Sequence, residues 1–265
     1  MADSPLVELL DVRKTYANGV VAIDSFNCSL GEGELVSLLG PSGCGKSTVL
    51  RLIAGLAKPT SGVVRRAWHR GAHESSGAPP LGCVFQEPTL LPWASVWKNV
   101  YLPLRLWGES KPAAKPQVEE AISLVGLGGF ADAYPRELSG GMKMRASVAR
   151  ALVTQPRMLL LDEPFAALDE ITRSRLNDDV LAVWRRRRWT GLFITHSVFE
   201  SVFLSTRVLV MSPRPGRVVE EIAIDLPDER GAQTRTSPQY MELCRRVSQA
   251  LERATEAAPA GSAHE

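Results

Sequence analysis

The sequence predicts an α/β fold with a mostly parallel β-sheet, an antiparallel β edge and an inserted helical subdomain. Short apolar runs alternate with helical patterns along most of the 265 residues, which is typical of a parallel sheet covered by helices. Two runs, at residues 34–39 and 157–161, are almost continuously apolar, as expected of strands buried on both faces. Residues 6–16 and 20–30 instead alternate apolar and polar positions around a short turn, which indicates an antiparallel pair.

The remaining elements are predicted in chain order from periodicity and from Gly- or Pro-rich breaks. The first half adds a helix at 47–56, a strand at 63–64, an exposed loop at 69–80 and a strand at 81–85. Helical patterns at 96–107, 117–125 and 141–152 predict a helical subdomain at about 87–155. The second half adds helices at 171–184 and 198–204, strands at 192–195, 208–211 and 218–224, and a helix at 237–253. A frayed tail is predicted from Ala254 onward, and His69 and His73 in the loop receive no role.

Composition narrows the class of function. With 45% hydrophobic and 23% charged residues, the chain suits one large globular domain, and its net charge of +2 creates no strong field for nucleic acid. The scattered cysteines form no C-x-x-C pair, which favours a reducing compartment over a zinc site or a disulfide framework. The first residues lack the apolar segment of a signal peptide, and no apolar run approaches the ~20 residues that span a bilayer. A membrane role is therefore expected to come through a partner.

A phosphate-binding loop is predicted at residues 40–48, between a strand and a helix, where the sequence fits G-x-x-x-x-G-K-[ST]. The motif consists of Gly40, Pro41, Ser42, Gly43, Cys44, Gly45, Lys46, Ser47 and Thr48. Glycines let the backbone approach the phosphates, and successive N–H groups with the following helix N-terminus attract anions. Lys46 is expected to reach the β- and γ-phosphates and Ser47 to hold Mg²⁺. The alternative is a glycine-rich turn that binds nothing, which these flanking elements disfavour.

Two further patterns place polar residues at the end of a predicted strand and at the start of a predicted helix. Asp162 and Glu163 follow the strand at 157–161, at the edge where open α/β sheets bind ligands. Asp162 is expected to hold Mg²⁺ through its water shell, and Glu163 to orient and polarise an attacking water. The alternative is a strand that ends in two solvated acids. Residues 139–141 open a helix with a hydroxyl and free N–H groups, which suits phosphate but also suits a plain N-cap.

In this order, the motifs resemble those of the ATP-binding subunits of ABC transporters, and the resemblance covers residues 6–224. It rests on the phosphate loop (Walker A), Gln86, the signature residues Ser139, Gly140 and Gly141, the pair Asp162 and Glu163 (Walker B), Asp169 and His196. The resemblance implies an ABC-type ATP-binding domain at 1–230, followed by a C-terminal helix and flexible tail at 231–265. It also implies ATP and Mg²⁺ as cofactors.

The resemblance assigns roles to residues outside the phosphate loop. It implies that Tyr16 stacks on the adenine ring, although a tyrosine at a strand end is often only structural. It implies that Gln86 contacts Mg²⁺ and the attacking water and senses ATP at the interface with a membrane partner. Asp169 is implied to lie at a dimer interface, and His196 to contact the γ-phosphate. Two subunits are implied to pack head to tail around two ATP molecules, each signature closing over the γ-phosphate held by the other subunit.

Details of the sequence resemble one branch of importers. Met142 stands where the wider family often has glutamine, and Met144 also replaces a common polar residue. Together with residues 85–93 and 96–100, the Met142 form resembles the ATPases of nitrate, aliphatic sulfonate and taurine importers. This resemblance implies a peripheral ATPase on the cytoplasmic face of the plasma membrane, with separate permease subunits and an extracytoplasmic substrate-binding protein. The transported solute is left open.

Two alternatives come from other classes. A soluble ABC-type ATPase acting on DNA or ribosomes is disfavoured because the chain has no sustained heptads and only one phosphate loop. A P-loop kinase does not explain residues 139–141 or His196. The basic run at 185–188 could bind nucleic acid, but its place at the end of a predicted helix favours a solvated helix end. No nucleic-acid partner is expected.

Overall fold

The computed structural model describes residues 5–67 and 81–256. The loop predicted at 69–80, with His69 and His73, lies outside the described residues, as does the tail at 257–265. The strands are β1 (Val7–Thr15), β2 (Val21–Leu30), β3 (Leu35–Leu39), β4 (Ser61–Arg66), β5 (Leu81–Val84), β6 (Met158–Asp162), β7 (Thr190–Thr195), β8 (Arg207–Met211) and β9 (Val218–Ala223). The helices are α1 (Lys46–Ile53), α2 (Val96–Leu106), α3 (Lys111–Leu124), α4 (Gly140–Leu152), α5 (Glu170–Arg187), α6 (Val198–Leu204), α7 (Ala232–Arg235) and α8 (Pro238–Glu256).

The described residues group into two compact units, and the first comprises residues 5–67 and 190–256. In this unit β1 pairs antiparallel with both β2 and β4, as the alternating pattern predicted. A second sheet places β3 between β7 and β8 in parallel register, and β9 joins β8 antiparallel. Because Leu39 pairs with Thr195, β3 and β7 end at the same edge of the sheet. The mostly parallel α/β fold with antiparallel edges is confirmed.

The centre of the first unit is made by strands with no exposed face. Every residue of β3 and of β7 is buried, which is why their sequences are nearly continuous in apolar residues. The polar residues among them are hydrogen-bonded, as burial requires. Ser37 bonds with Ser205, and Thr190 Oγ1 accepts the backbone N–H of Gly33 at 3.0 Å.

The second unit comprises residues 81–189. Its strands β5 and β6 pair in parallel, with Val84 opposite Leu161, and its helices α2, α3 and α4 pack on one another. Helix α3 begins at Lys111, earlier than the predicted 117, because Ser110 stands at the N-cap position and a proline occupies the first turn. The boundaries predicted for the helical subdomain, at 87–155, remain predictions.

The C-terminal segment departs from the sequence prediction. We predicted a frayed tail from Ala254 onward, and this prediction is wrong for residues 254–256. Helix α8 continues to Glu256, and Ala254 is buried. Ala254 continues an apolar face of α8, and its spacing of three or four residues keeps that face against the core. The face consists of Tyr240, Cys244, Val247, Ala250 and Ala254. The short helix α7 was not predicted.

Arg230 ties this C-terminal segment to α6. Its side chain is only 8% exposed, and its guanidinium donates to backbone carbonyls at the end of α6 and beyond β9. The acceptors are the carbonyls of Val202 (3.3 Å), Phe203 (2.7 Å), Ser205 (2.9 Å), Leu226 (3.4 Å) and Pro227 (2.8 Å). Burial lowers the pKa of Arg230 to about 10, so the group stays charged at neutral pH. It satisfies helix-end carbonyls that α6 itself cannot pair.

Arg230→Met is expected to lower the free energy of unfolding by about 3 kcal/mol, because methionine keeps the apolar stem but leaves buried carbonyls without a donor. For a chain of this size that corresponds to a fall in Tm of roughly 6–12 °C in a thermal melt. The matched control is Arg245→Met on α8, whose guanidinium is exposed and bonds to Glu242. We expect no measurable change there. Equal losses in both variants would contradict a specific role for Arg230.

Candidate functional site

The phosphate loop joins β3 to α1 in the first unit, and its glycines are required by the backbone. Gly43 and Gly45 have φ of +76° and +108°, a region that residues with side chains rarely adopt. A Cβ on Gly45 would lie 2.7 Å from the carbonyl oxygen of Ala22, and a Cβ on Gly40 would lie 3.0 Å from Met211 Cβ. The loop is therefore packed closely from behind, as a backbone cradle for an anion must be.

Lys46 is held inside the curve of this loop. It is 4% exposed, and its ammonium donates to the carbonyl oxygens of Gly40 at 2.8 Å and Pro41 at 2.9 Å. The positive charge therefore lies against the backbone that precedes α1. Ser47 is exposed in the first turn of the same helix.

Tyr16 lies beside the phosphate loop, although it comes from the end of β1. Its hydroxyl is 3.1 Å from Thr48 Oγ1, in the first turn of α1. Lys14 lies 5.4 Å from the centre of its ring. The structure thus brings Tyr16 together with the predicted phosphate site, and its stacking on adenine stays a prediction.

His196 follows β7 and is exposed, at the sheet edge where β3 gives way to the phosphate loop. Its neighbours in the chain are fixed by a small polar network. Thr195 Oγ1 donates to Glu200 Oε2 at 2.5 Å and accepts the N–H of Ser197 at 3.0 Å. Ser197 in turn caps α6 by accepting the N–H of Glu200 at 3.3 Å. Sequence reasoning missed Glu200, which is buried; the only signal in the sequence was an acid four residues after His196.

In the second unit, Gln86 comes just after β5, and the two acids lie at the end of its parallel neighbour β6, with Asp162 as the last residue of the strand. Since Val84 of β5 pairs with Leu161 of β6, Gln86 and Asp162 emerge at the same edge. Burial and, secondarily, the negative charge of Asp162 raise the pKa of Cys83 to about 11, so that thiol stays protonated beside the acid. Glu163 has a φ of +45°, which is strained for a residue with a side chain. Such strain is concentrated at functional sites, where the surroundings impose it.

The signature residues meet the start of α5 in the same unit. Ser139 caps α4 by accepting the N–H of Met142 at 3.3 Å, so its hydroxyl also has the N-cap role that the sequence allowed. A Cβ on Gly141 would lie 2.6 Å from Thr172 Cγ2, which shows why this position is glycine. Asp169 caps α5 by accepting the N–H of Thr172 at 3.0 Å, and this bond holds the pKa of its carboxyl below the usual value. The dimer-interface role of Asp169 stays a prediction.

The basic run at 185–188 lies at the C-terminal end of α5, as its position in the sequence predicted. Arg185, Arg186 and Arg187 form the last turn of the helix, where cations oppose the negative end of its dipole. Arg188 is the C-cap, with φ of +48°, and its guanidinium lies 4.6 Å from the ring centre of Trp184.

Comparison with known proteins identifies the family to which this site belongs. The family model described as ABC transporter matches residues 23–166, which include the phosphate loop, Gln86, the signature and both acids. The chain belongs to the ABC transporter family. It is an ABC-type ATPase, which confirms the resemblance that its motifs indicated.

Relatives of this ABC protein span nearly its whole length. The nitrate import ATP-binding protein NrtD of Synechocystis sp. is 40% identical, over 92% of this chain and 94% of its own. The aliphatic sulfonates import ATP-binding protein SsuB of Bacillus cereus is 39% identical, over 88% and 90%. The taurine import ATP-binding protein TauB of Rhizobium johnstonii is 44% identical, over 86% and 88%. The predicted similarity to this importer branch is confirmed.

Solved structures of ABC cassettes share the fold of this ABC protein. The dimeric, post-hydrolysis structure of the ATP-binding cassette MJ0796, bound to ADP and Pi, matches with a TM-score of 0.70 and 31% identity. The match covers 83% of this chain and 100% of that one. Among the described residues, no helix is both long and apolar enough to cross a membrane.

Proposed function

We propose that this ABC protein hydrolyses ATP to power uptake of a small anion or organic solute, such as nitrate, a sulfonate or taurine, through a separate membrane permease. The observation that carries the proposal is near full-length identity of 39–44% to import ATP-binding proteins for these three solutes. In this proposal the ATPase is peripheral on the cytoplasmic face, and an extracytoplasmic binding protein delivers the solute to the permease.

The chemistry proposed for the site follows from its donors. The phosphates of ATP bind along the loop at 40–48, and the ammonium of Lys46 contacts the β- and γ-phosphates. Ser47, Gln86 and Asp162 offer hydroxyl, amide and carboxylate oxygens, and oxygen ligands are those that Mg²⁺ prefers. This donor set fits Mg²⁺, which when bound neutralises developing phosphate charge. Glu163 orients the attacking water, and His196 contacts the γ-phosphate.

A second copy of the chain completes the proposed site. Ser139 and Gly140 are exposed at the N-terminus of α4, where unpaired N–H groups and the helix dipole attract anions. In the head-to-tail dimer, these groups close over the γ-phosphate held by the other copy. The MJ0796 cassette is dimeric in its post-hydrolysis state bound to ADP and Pi, which supports a dimer of this chain. Hydrolysis then becomes coupled to opening and closing of the dimer.

The permease contact is proposed at a groove in the second unit, which we call the Trp93 groove. It has a volume of about 560 Å³ and is lined by Leu91, Trp93, Ala94, Lys98, Tyr101, Leu102, Arg105 and Lys111. The indole of Trp93 is 73% exposed, and a large exposed aromatic beside basic groups is typical of a protein-binding surface. The loop that carries it is held by buried Asn99, which accepts the N–H of Leu91 at 2.7 Å and donates to the Ala94 carbonyl at 2.9 Å.

Trp93→Ala is expected to reduce recovery of the permease by about tenfold or more, because an aromatic anchor of an interface commonly contributes 2 kcal/mol or more. The measurement is purification of tagged protein from native membranes with identification of the co-purifying chains. The matched control is Phe130→Ala, which removes a 47%-exposed aromatic outside the groove and should leave recovery unchanged. Recovery of ribosomes or DNA with the wild-type protein, and of no multi-span chain, would instead favour the soluble alternative.

A further inference from the structure

The turn between β8 and β9, at residues 212–217, packs directly against the phosphate loop of the same unit. Gly216 touches the middle of the loop so closely that a Cβ there would lie 2.1 Å from the carbonyl oxygen of Cys44. Its N–H donates to the Ala22 carbonyl at 3.0 Å, which anchors the turn to β2. At the end of β8, Met211 packs against Gly40 at the start of the loop, where a Cβ on Gly40 would lie 3.0 Å from Met211 Cβ. The turn therefore forms one wall of the phosphate loop, although it belongs to none of the ABC motifs.

Arg214, at the exposed tip of this turn, bonds to the loop itself. Its Nε and Nη2 donate to the carbonyl oxygen of Gly43 at 3.2 and 3.1 Å, so both hydrogen bonds converge on one oxygen. Gly43 adopts a left-handed φ of +76°. Without a Cβ, glycine crosses easily between backbone conformations. The N–H of the peptide unit that carries this carbonyl belongs to Cys44 and donates to the Pro41 carbonyl at 3.4 Å, and Arg214 restrains the carbonyl end of the same unit.

We propose that Arg214 is a positioning residue of the nucleotide site, which holds the Gly43 carbonyl on the outer side of the phosphate loop. If that peptide unit turned over, its carbonyl dipole would reverse beside the phosphate site, and the bond from the Cys44 N–H to the Pro41 carbonyl would be lost. Fixing the carbonyl holds the loop in one backbone conformation, as a nest of successive N–H groups around an anion requires. The guanidinium also adds a fixed positive charge next to the loop, and it acts through the backbone rather than by touching the nucleotide.

The neighbouring arginine shows that this contact is particular to Arg214. Arg217 leaves the same turn in the other direction and bonds to Asp24 of β2. Both arginines are exposed, and both help to seat the turn, but only Arg214 is bonded to the phosphate loop among their described contacts. Arg217 therefore serves as a matched control for charge, exposure and location.

The test compares Arg214→Ala, Arg214→Lys and Arg217→Ala by equilibrium binding of ADP and ATP and by steady-state kinetics. We expect Arg214→Ala to bind both nucleotides about three- to tenfold more weakly, which matches the net contribution of one ordinary hydrogen bond. KM for ATP should rise to the same extent, with kcat at saturation within about twofold of wild type. Arg214→Lys should recover part of the affinity, and Arg217→Ala should bind as wild type. The Tm without nucleotide should stay unchanged in all three.

Wild-type affinity in Arg214→Ala would overturn the inference, as would an equal loss in Arg217→Ala, which would make the effect one of turn stability. A fall in kcat with KM unchanged would also overturn it. The inference rests on the ATP-binding function proposed above, and the two fail differently. Failure of the wild-type protein to bind ATP would contradict that function, whereas wild-type binding with unaffected variants would contradict only the role of Arg214.

Discussion

Glu163→Gln is expected to lower ATP turnover by about 10²-fold or more while ATP affinity stays close to that of the wild-type protein. Glutamine preserves the size of the side chain but removes the carboxylate that orients and polarises water, a contribution typically of 10²–10⁴-fold. The strained φ of +45° at this position imposes the same cost on either residue, so folding should be little affected. Phosphate release and equilibrium ATP binding, measured on the same preparation, separate the two effects.

The matched control for this variant is Glu170→Gln. Glu170 lies in the first turn of α5, is exposed and pairs with Arg173, so its loss should leave turnover intact. Glu163→Gln should also accumulate as an ATP-bound dimer, visible as a doubled mass in light scattering with ATP but not without it. Normal turnover in Glu163→Gln would remove Glu163 from the proposed role.

Lys46→Met is expected to weaken binding of both ATP and ADP by about 10²-fold, because charged hydrogen bonds to the phosphates are lost at a site with little access to water. Methionine keeps the buried stem, so the core around α1 should remain packed. The affinity is measured by titration with a fluorescent ADP analogue and by competition with ATP. Turnover should become undetectable at ATP concentrations that saturate the wild-type protein.

The control for Lys46→Met is Lys58→Met, which replaces an exposed lysine shortly after α1. That variant should bind both nucleotides as the wild-type protein does. Because Lys46 also bonds to the carbonyls of Gly40 and Pro41, thermal melts of the nucleotide-free proteins must accompany the titrations. Wild-type affinity in a folded Lys46→Met protein would contradict the assignment of the loop at 40–48.

The parts of the fold that follow from local pattern were predictable from the sequence. Strands β3 and β6 were recognisable because burial on both faces demands continuous apolar residues. The phosphate loop was recognisable because its glycines and lysine are adjacent in the chain. Helix α3 and the end of α8 were partly missed, because Pro116 inside α3 and small residues near Ala254 weaken the local signal while tertiary burial supports the helices.

The contacts that position the site could not be predicted in the same way. Arg214 and Gly43 are 171 residues apart in the chain, and nothing in either local sequence indicates that they meet. The left-handed backbone of Glu163 likewise depends on its surroundings rather than on residue type, since glutamate has no preference for that conformation. Glu200 was detectable only as an acid near His196, and its bond to Thr195 required the structure.

Two residues with predicted roles between subunits, Ser139 and Asp169, also have roles within a single chain. Ser139 and Asp169 both act as N-caps within one chain, and these bonds explain their residue types on local grounds. Their proposed roles at a dimer interface are compatible with the caps, because each cap leaves oxygen lone pairs and helix N–H groups available.

The most direct test of the central claim is phosphate release by the protein–permease complex purified from native membranes, with wild-type and Glu163→Gln chains compared side by side. The proposal that this chain is the ATP-hydrolysing subunit of an importer predicts steady release by the wild-type complex and release at least about 10²-fold slower in Glu163→Gln, at equal permease content. Equal rates in the two complexes would contradict it, because hydrolysis would then come from elsewhere.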